Sequence, residues 1–113
     1  MLGHVNNSSY NQFFDIGRYE CLNKTFEGLN NWKERTLVIV HIETDYLKPV
    51  FLDTKICVET KIAEVGNRSL KMNQQIVNDK GEIMVKSMSI MSALDVRAGQ
   101  SLIIPDEWRN QVK

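Results

Sequence analysis

The first part of the chain has the apolar period of a helix. Apolar residues recur at three- and four-residue spacing from Tyr10 to Leu22, with polar residues mostly between them, which predicts an amphipathic helix of about four turns. Asn6 to Ser9 have side chains suited to N-capping. Gly28 and the asparagine pair that follows it are expected to end the helix. The predicted buried face carries Tyr10, Phe13, Phe14, Gly17, Cys21 and Leu22.

After residue 34 the apolar period changes to that of strands. A long strand is predicted from Thr36 to Leu47, followed by a meander of three antiparallel strands. On the long strand, one face is predicted to carry Val38, Val40, Ile42 and Tyr46, and the other Leu37, Ile39, His41, Glu43 and Asp45. The predicted later elements are strands at Ile56–Ile62, Leu70–Ile76 and Ile83–Leu94, turns at Glu64–Ser69 and Asn78–Glu82, and a short helix beginning at Pro105.

One helix and an antiparallel sheet form an α+β pattern in which the sheet must cover the helix. Gly17, in the middle of the helix, suggests close approach of another backbone, since glycine there costs about 1 kcal/mol relative to alanine. The length of 113 residues predicts a single domain spanning residues 1–113.

Composition narrows the possible functions. Fourteen basic and fourteen acidic side chains cancel, so no field of one sign favours general binding to nucleic acid or to a membrane. Cys21 and Cys57 lack C-x-x-C spacing and are predicted to be reduced thiols. No metal-ligand spacing, nucleotide-binding motif, leader or membrane span is recognisable. We therefore predict a soluble, cytoplasmic protein without a metal or cofactor.

The opening segment "GHVNNSSYNQFFDIGR", Gly3 to Arg18, resembles the signature of hotdog-fold acyl-CoA thioesterases of the 4-hydroxybenzoyl-CoA thioesterase-like branch. The segments "DYLKPVFLDT", Asp45 to Thr54, and "VGNRSL", Val65 to Leu70, resemble two further motifs of that family, although Leu52 replaces its usual glycine. The resemblance implies a long central helix wrapped by a curved antiparallel sheet. It also implies hydrolysis of acyl-CoA to free acid and CoA, in a homodimer or homotetramer.

The resemblance further implies the residues of the site. The backbone N–H near Asn7, at the start of the helix, would donate to the thioester carbonyl, in agreement with the affinity of helix N-termini for negative charge. The implied substrate-binding residues are Gly3, His4 and Asn6 in the loop, Tyr10 and Phe14 along an acyl pocket, and Arg68 at the CoA phosphates, with Lys71 and Lys86 as weaker candidates. Aromatic residues at helical spacing are more often simply core residues, which is the alternative for Tyr10 and Phe14.

The chain departs from the family at its beginning. The family's catalytic aspartate lies three residues before the glycine, a position immediately before Met1, and the family's first strand precedes it. We expect that the start codon was assigned too late, so that the sequence is truncated; a naturally short protein and processing or cloning of a longer one are the alternatives. A sheet without that strand would have an unpaired edge.

Other carboxylates offer weaker alternatives. Asp15 is eight residues from Asn7 along the helix, roughly 12 Å, and is expected to form a helix-surface ion pair with Arg18. His41 and Glu43 share a strand face and are capable in principle of acid–base chemistry. The second functional hypothesis is a catalytically silent domain that binds acyl-CoA or assists assembly. A hotdog dehydratase is disfavoured, because its helical histidine–glutamate arrangement is not recognisable here.

Overall fold

A long helix and a five-stranded antiparallel sheet make up most of the computed structural model, which describes residues 7–26, 35–50 and 55–111. The predicted helices and long strands are all present. Helix α1 has 19 residues, about one turn more than predicted, and the two-residue strand β5 was not predicted. The elements in chain order are α1 (Asn7–Thr25), β1 (Arg35–Tyr46), β2 (Ile56–Val65), β3 (Ser69–Asn78), β4 (Ile83–Asp95), β5 (Gln100–Ser101) and α2 (Asp106–Gln111).

The sheet has the strand order β1-β4-β3-β2, with β5 paired to β4. The meander β2-β3-β4 follows from its two predicted turns. At the second turn, the Asn78 side chain accepts hydrogen bonds from the backbone N–H groups of Lys80 and Glu82, both at 2.9 Å, and Gly81 has a φ of 80°, which favours glycine. Within the described residues, β1 and β2 each pair on one side only. The region in which the family's first strand and aspartate were expected lies outside them.

The core lies between α1 and the inner face of the sheet. Tyr10, Phe14, Leu22 and Phe26 are buried at helical spacing, as predicted for a buried helical face. Phe13, Gly17 and Cys21, also predicted for that face, are half-buried at its border. Near the start of α1 the core contains Tyr10, Phe14, Val50, Ile76, Met84 and Val85, and near its end Leu22, Phe26, Leu70, Met72, Met91, Ala93, Ile104 and Trp108.

Gly17 allows α1 to approach β2 and β3 closely. A Cβ atom at this position would lie 2.7 Å from Thr60 Oγ1, 3.0 Å from Gln74 Nε2 and 3.2 Å from Val58 Cγ1. The close neighbours are therefore side chains, not the backbone that the sequence suggested. The glycine lets α1 pack over the β2 side of the sheet, and this placement leaves space beside β1.

A β-bulge in β1 changes the predicted faces of that strand. Ile39 is opposite Met91 and His41 is opposite Ile90, so Val40 is an extra residue in the ladder. Residues directly opposite each other share a face, which places Leu37 and Ile39 on the inner face with Ile42. The predicted grouping of Leu37 and Ile39 with His41, Glu43 and Asp45 was wrong, because simple alternation takes no account of an extra residue.

The last segment of the described chain closes the end of the core. The Trp108 ring stacks on Phe26, with centroids 4.5 Å apart and an interplanar angle of 6°. The Ile104 N–H donates to Asn67 O at 2.7 Å, and Arg109 Nε donates to Gly66 O at 3.2 Å. The C-terminal segment thus fastens the β2–β3 turn over the end of α1.

Candidate active site

The candidate site is built around the first turn of α1, which begins at Asn7. The N–H groups of a first helical turn have no intrahelical acceptor and carry a partial positive charge. No acidic residue lies in this first turn, so its charge is not offset there by a neighbouring carboxylate. The assignment of the Asn7 backbone N–H as an oxyanion donor stays a prediction. The loop residues Gly3, His4 and Asn6 lie outside the described residues.

Tyr10 and Phe14 lie in the first half of α1, on its buried face. Their relative exposures are 4% and 2%, and both pack in the core. The Tyr10 ring also lies 5.4 Å, centroid to centroid, from the Tyr46 ring at the end of β1. Tyr46 is 48% exposed, so this pair joins the core to an open side of the molecule. The assignment of Tyr10 and Phe14 to an acyl pocket stays a prediction.

An open groove of about 480 Å³ separates α1 from β1. It begins at Asp15, in the third turn of the helix. The helix contributes polar groups and one leucine, and the strands contribute mainly aliphatic side chains. The residues that line the groove are Asp15, Arg18, Tyr19, Leu22, Asn23, Arg35, Thr36, Leu37, Val38, Ile39 and Met91.

A buried polar network lies beside this groove. The Arg18 side chain is only 5% exposed and its Nη2 pairs with Asp15, whose side chain is 66% exposed. Arg18 Nη1 donates to Gln74 Oε1 at 2.9 Å. The Gln74 amide donates in turn to Phe14 O at 2.9 Å and to Thr60 Oγ1 at 3.0 Å. The predicted Asp15–Arg18 pair exists, but the prediction of a helix-surface pair was wrong, because Gln74 draws the guanidinium into the protein.

Sequence reasoning missed the part that Gln74 plays. Its position was visible, since it occupies an inward place in β3 between Met72 and Ile76. A buried amide requires hydrogen-bond partners. The pattern of β3 alone does not show that those partners lie on α1 and β2.

Arg68 lies in the turn between β2 and β3. Its Nη1 donates to the backbone O and the side-chain Oγ of Ser101, at 3.2 and 3.0 Å. Lys71 and Lys86 are opposite Ile90 and Asp45 in their ladders and belong to the outer face, whereas α1 covers the inner face. The structure therefore does not gather these three cations around the start of α1.

His41 and Glu43 also belong to the outer face. His41 Nε2 lies 3.0 Å from Glu43 Oε1, and the two side chains are 48% and 67% exposed. Asp45, on the same face, is opposite Lys86. Because the sheet separates this pair from the first turn of α1, it is not arranged to act on a carbonyl bound there.

Three further features of the described residues bear on the chemistry. In that part of the chain, no group of three or more His, Cys, Asp or Glu side chains is arranged to hold a metal ion. Cys21 and Cys57 are free thiols. No helix there is long and apolar enough to cross a membrane.

The architecture, a central helix against a curved antiparallel sheet, is the hotdog fold, as predicted. The family model described as "Thioesterase superfamily" matches residues 2–85. The chain therefore belongs to the thioesterase superfamily, whose members are thioester hydrolases.

Solved structures agree with this assignment. A predicted thioesterase from Bacillus stearothermophilus is 29% identical, with a TM-score of 0.84 over 97% of this chain and 81% of that one. A Thermus thermophilus thioesterase complexed with coenzyme A and Zn is 22% identical, with a TM-score of 0.82 over 98% and 85%. The DHNA-CoA thioesterase of Staphylococcus aureus is 15% identical, with a TM-score of 0.84 over 96% and 76%. A search of curated proteins found no match.

Proposed function

We propose that the protein hydrolyses acyl-CoA thioesters to the free acid and CoA. The observation that carries the proposal is the beginning of α1 at Asn7, within the segment that matches the thioesterase superfamily. A coenzyme A complex of a structurally similar thioesterase supports CoA as the thiol.

In the proposed reaction, the carbonyl oxygen of the thioester accepts a hydrogen bond from the backbone N–H near Asn7. Water attacks the carbonyl carbon, and negative charge develops on that oxygen, where the helix N-terminus stabilises it. The C–S bond then breaks, and CoA leaves as the thiol after it takes up a proton. Water is the only co-reactant, so the proposal includes no cofactor. As a separate part of the proposal, the reaction takes place in the cytoplasm.

The attack also needs a base or a covalent carboxylate. Asp15 is too far from Asn7 within one chain, about 12 Å along the helix axis, and it is paired with Arg18. We therefore keep the family's aspartate, expected immediately before the numbered chain, as the proposed group. Gly3, His4 and Asn6 are proposed to shape the loop, and Arg68 to contact a CoA phosphate by exchanging its bonds to Ser101.

The test is release of free CoA thiol from a panel of acyl-CoAs, using the protein purified from its host with its intact mass recorded. Thiol release with saturation kinetics is expected. Asn7→Pro removes the proposed N–H donor at a helix position that tolerates proline, and we expect kcat to fall by about 100-fold, as for loss of one oxyanion donor. Asp106→Pro, at the exposed first position of α2, is the matched control for a proline added at the start of a helix. Absence of hydrolysis on every thioester would contradict the proposal.

A catalytically silent domain is the second candidate. It is favoured by the absence, among the described residues, of a carboxylate in the first turn of α1. This candidate predicts calorimetric binding of acyl-CoA, or of a partner protein, without thiol release. The same assay therefore separates the two candidates.

We also propose that two copies associate through β1. Within the described part of the chain this strand pairs on one side only, and Ile39, Val40 and Ile42 are 39%, 60% and 44% exposed. A two-fold axis would pair β1 with β1 of the second copy in antiparallel fashion and cover these side chains. Pairing of such dimers would give the tetramer that the family resemblance also allows.

A further inference from the structure

We infer that Gln74 is a positioning residue: its side-chain amide holds α1 at one place along the helix axis and so fixes the proposed N–H donor near Asn7. This inference rests on the proposed function. It goes beyond that function, which names a donor at the start of α1 but not the contact that keeps the donor in place. The hydrogen-bonded side chains of Arg18, Thr60 and Gln74 are called the polar lock below.

The polar lock lies between two apolar parts of the core. Gln74 is 4% exposed and occupies the inward place in β3 between Met72 and Ile76. Met72 belongs to the core near the end of α1, and Ile76 to the core near its start. Apolar attraction is not directional, so it selects one axial position of α1 less sharply than hydrogen bonds do. Buried polar groups can specify the register of packed elements, because a slide breaks their hydrogen bonds.

Gln74 holds the helix backbone itself. Its Nε2 donates to Phe14 O at 2.9 Å, and its Oε1 accepts from Arg18 Nη1 at 2.9 Å. These two contacts lie one turn apart on α1, and Phe14 is about 10 Å from Asn7 along the axis. Because backbone hydrogen bonds join consecutive turns of the helix, a displacement at Phe14 moves the first turn as well.

The polar lock has a single arrangement. The Gln74 amide also donates to Thr60 Oγ1 at 3.0 Å. A guanidinium offers only donors, so the amide oxygen must face Arg18, and a flip of the amide would lose the hydrogen bonds on both of its sides. Gly17 brings the helix backbone close enough for these contacts, since a Cβ there would lie 2.7 Å from Thr60 Oγ1 and 3.0 Å from Gln74 Nε2.

The position of α1 matters because an oxyanion donor acts over a narrow range of distance. Such donors lie about 2.7–3.1 Å from the position that the oxyanion occupies. A misplacement of about 1 Å, caused by a change far from the chemistry, can cost about 100-fold in rate. Loss of the polar lock should therefore impair catalysis even while the chain stays folded.

The first test is Gln74→Met, which keeps a side chain of similar length but removes the amide. We expect kcat for thiol release from acyl-CoA to fall by about tenfold or more, with KM changed by less than about twofold, because the donor acts on charge that develops in the transition state. Rates are measured where circular dichroism shows the variant fully folded. Gln75→Met, on the outer side of the same strand, is the matched control and should keep the wild-type kcat. A purely structural role would lower the melting temperature without lowering kcat of the folded protein.

The second test displaces α1 without removing the amide. Gly17→Ala adds a Cβ that meets Thr60 and Gln74, and it should also lower kcat. Crystal structures of the wild type and the three variants supply a readout that does not depend on activity. We expect α1 to shift relative to β3 by about 0.5 Å or more in Gln74→Met and Gly17→Ala, which exceeds the tolerance of a catalytic constellation, and to keep its place in Gln75→Met.

The structures separate failure of this inference from failure of the proposed function. If the wild type hydrolyses no thioester but α1 shifts in Gln74→Met, the proposed function fails and the positioning of α1 by Gln74 stands. An unshifted α1 in Gln74→Met overturns the inference, whatever the rates. In an active protein, a shift of α1 that leaves kcat unchanged also overturns it. If Gln74→Met does not fold, the same two readouts on Gly17→Ala decide.

Discussion

At the scale of single residues, the side-chain amide of Gln74 joins three elements inside the core. It accepts from Arg18 on α1 and donates to Phe14 O on α1 and to Thr60 on β2. Gln74→Leu removes all three hydrogen bonds and leaves a buried guanidinium with Asp15 as its remaining partner among the described residues. We expect the free energy of unfolding to fall by about 2–3 kcal/mol, because unsatisfied buried polar groups are costly. Urea denaturation followed by circular dichroism measures the change.

The neighbouring residue provides the control for this substitution. Gln75 faces the outer side of β3 and is bonded to Glu59 on β2 at the surface. Gln75→Leu makes the same chemical change and should alter the unfolding free energy by less than about 0.5 kcal/mol. Equal destabilisation by the two substitutions would show that the buried network contributes nothing specific.

Individual residues were predicted less well than the faces to which they belong. The apolar period of α1 correctly placed Tyr10, Phe14 and Leu22 in the core. It assigned Arg18 to the surface, because a charged residue is exposed unless a partner is available. That partner, Gln74, is 56 residues away along the chain, and a pattern confined to one helix carries no information about it.

At the scale of elements, the C-terminal segment secures the end of α1. Trp108 is 4% exposed and stacks on Phe26, which directly follows α1. Trp108→Ala removes this stack and leaves a cavity, so we expect a loss of about 3 kcal/mol in the free energy of unfolding. Urea denaturation measures it, with the exposed neighbour substitution Glu107→Ala as the control.

Hydrogen exchange adds a local measurement to the same prediction. The segment around Trp108 holds the turn between β2 and β3 through bonds from Ile104 and Arg109. Amide protons of residues 66–69 should therefore exchange faster in Trp108→Ala, beyond the increase shown by the central strand β4. A uniform increase over the whole sheet would contradict a local fastening role.

Strand positions were predictable because each of the four long strands has ten or more residues, enough to show a period of two over part of its length even where the register shifts. The bulge in β1 was not predictable in this way. The bulge depends on pairing with β4, and valine, an ordinary strand residue, gives no sign in the sequence that Val40 is an extra residue. The short strand β5 was missed because two residues are too few to show a period.

At the scale of the whole molecule, the exposed edge of β1 determines the expected assembly. Val40→Lys places a charge at this edge, and edge lysines oppose strand pairing. We expect light scattering to show a dimer or tetramer for the wild type and a monomer for the variant. Val96→Lys, at an exposed position on the β4–β5 turn, should keep the wild-type mass. A monomeric wild type, or assembly unchanged by Val40→Lys, would contradict association through β1.

The candidate site was predictable only in part. The capping residues before Tyr10 marked where α1 begins, and so located the proposed donor. The groove depends on where α1 lies across the sheet, and Gly17 fixes that placement through neighbours on β2 and β3. Such an arrangement of three elements cannot be read from the period of any one of them.

The bulge at Val40 also changes what an insertion or a deletion would do. Before Val40, the aliphatic residues Leu37 and Ile39 face inward, and after it His41, Glu43 and Asp45 face outward. The extra residue allows both groups to keep these faces within one strand. Deletion of Val40 would remove the bulge and leave Leu37 and Ile39 facing α1, whereas entry of Val40 into the regular ladder would turn them away from α1 while His41, Glu43 and Asp45 kept their places. Whether β1 accommodates Val40 as a bulge therefore sets the polarity of the groove wall, independent of which side chains the strand carries.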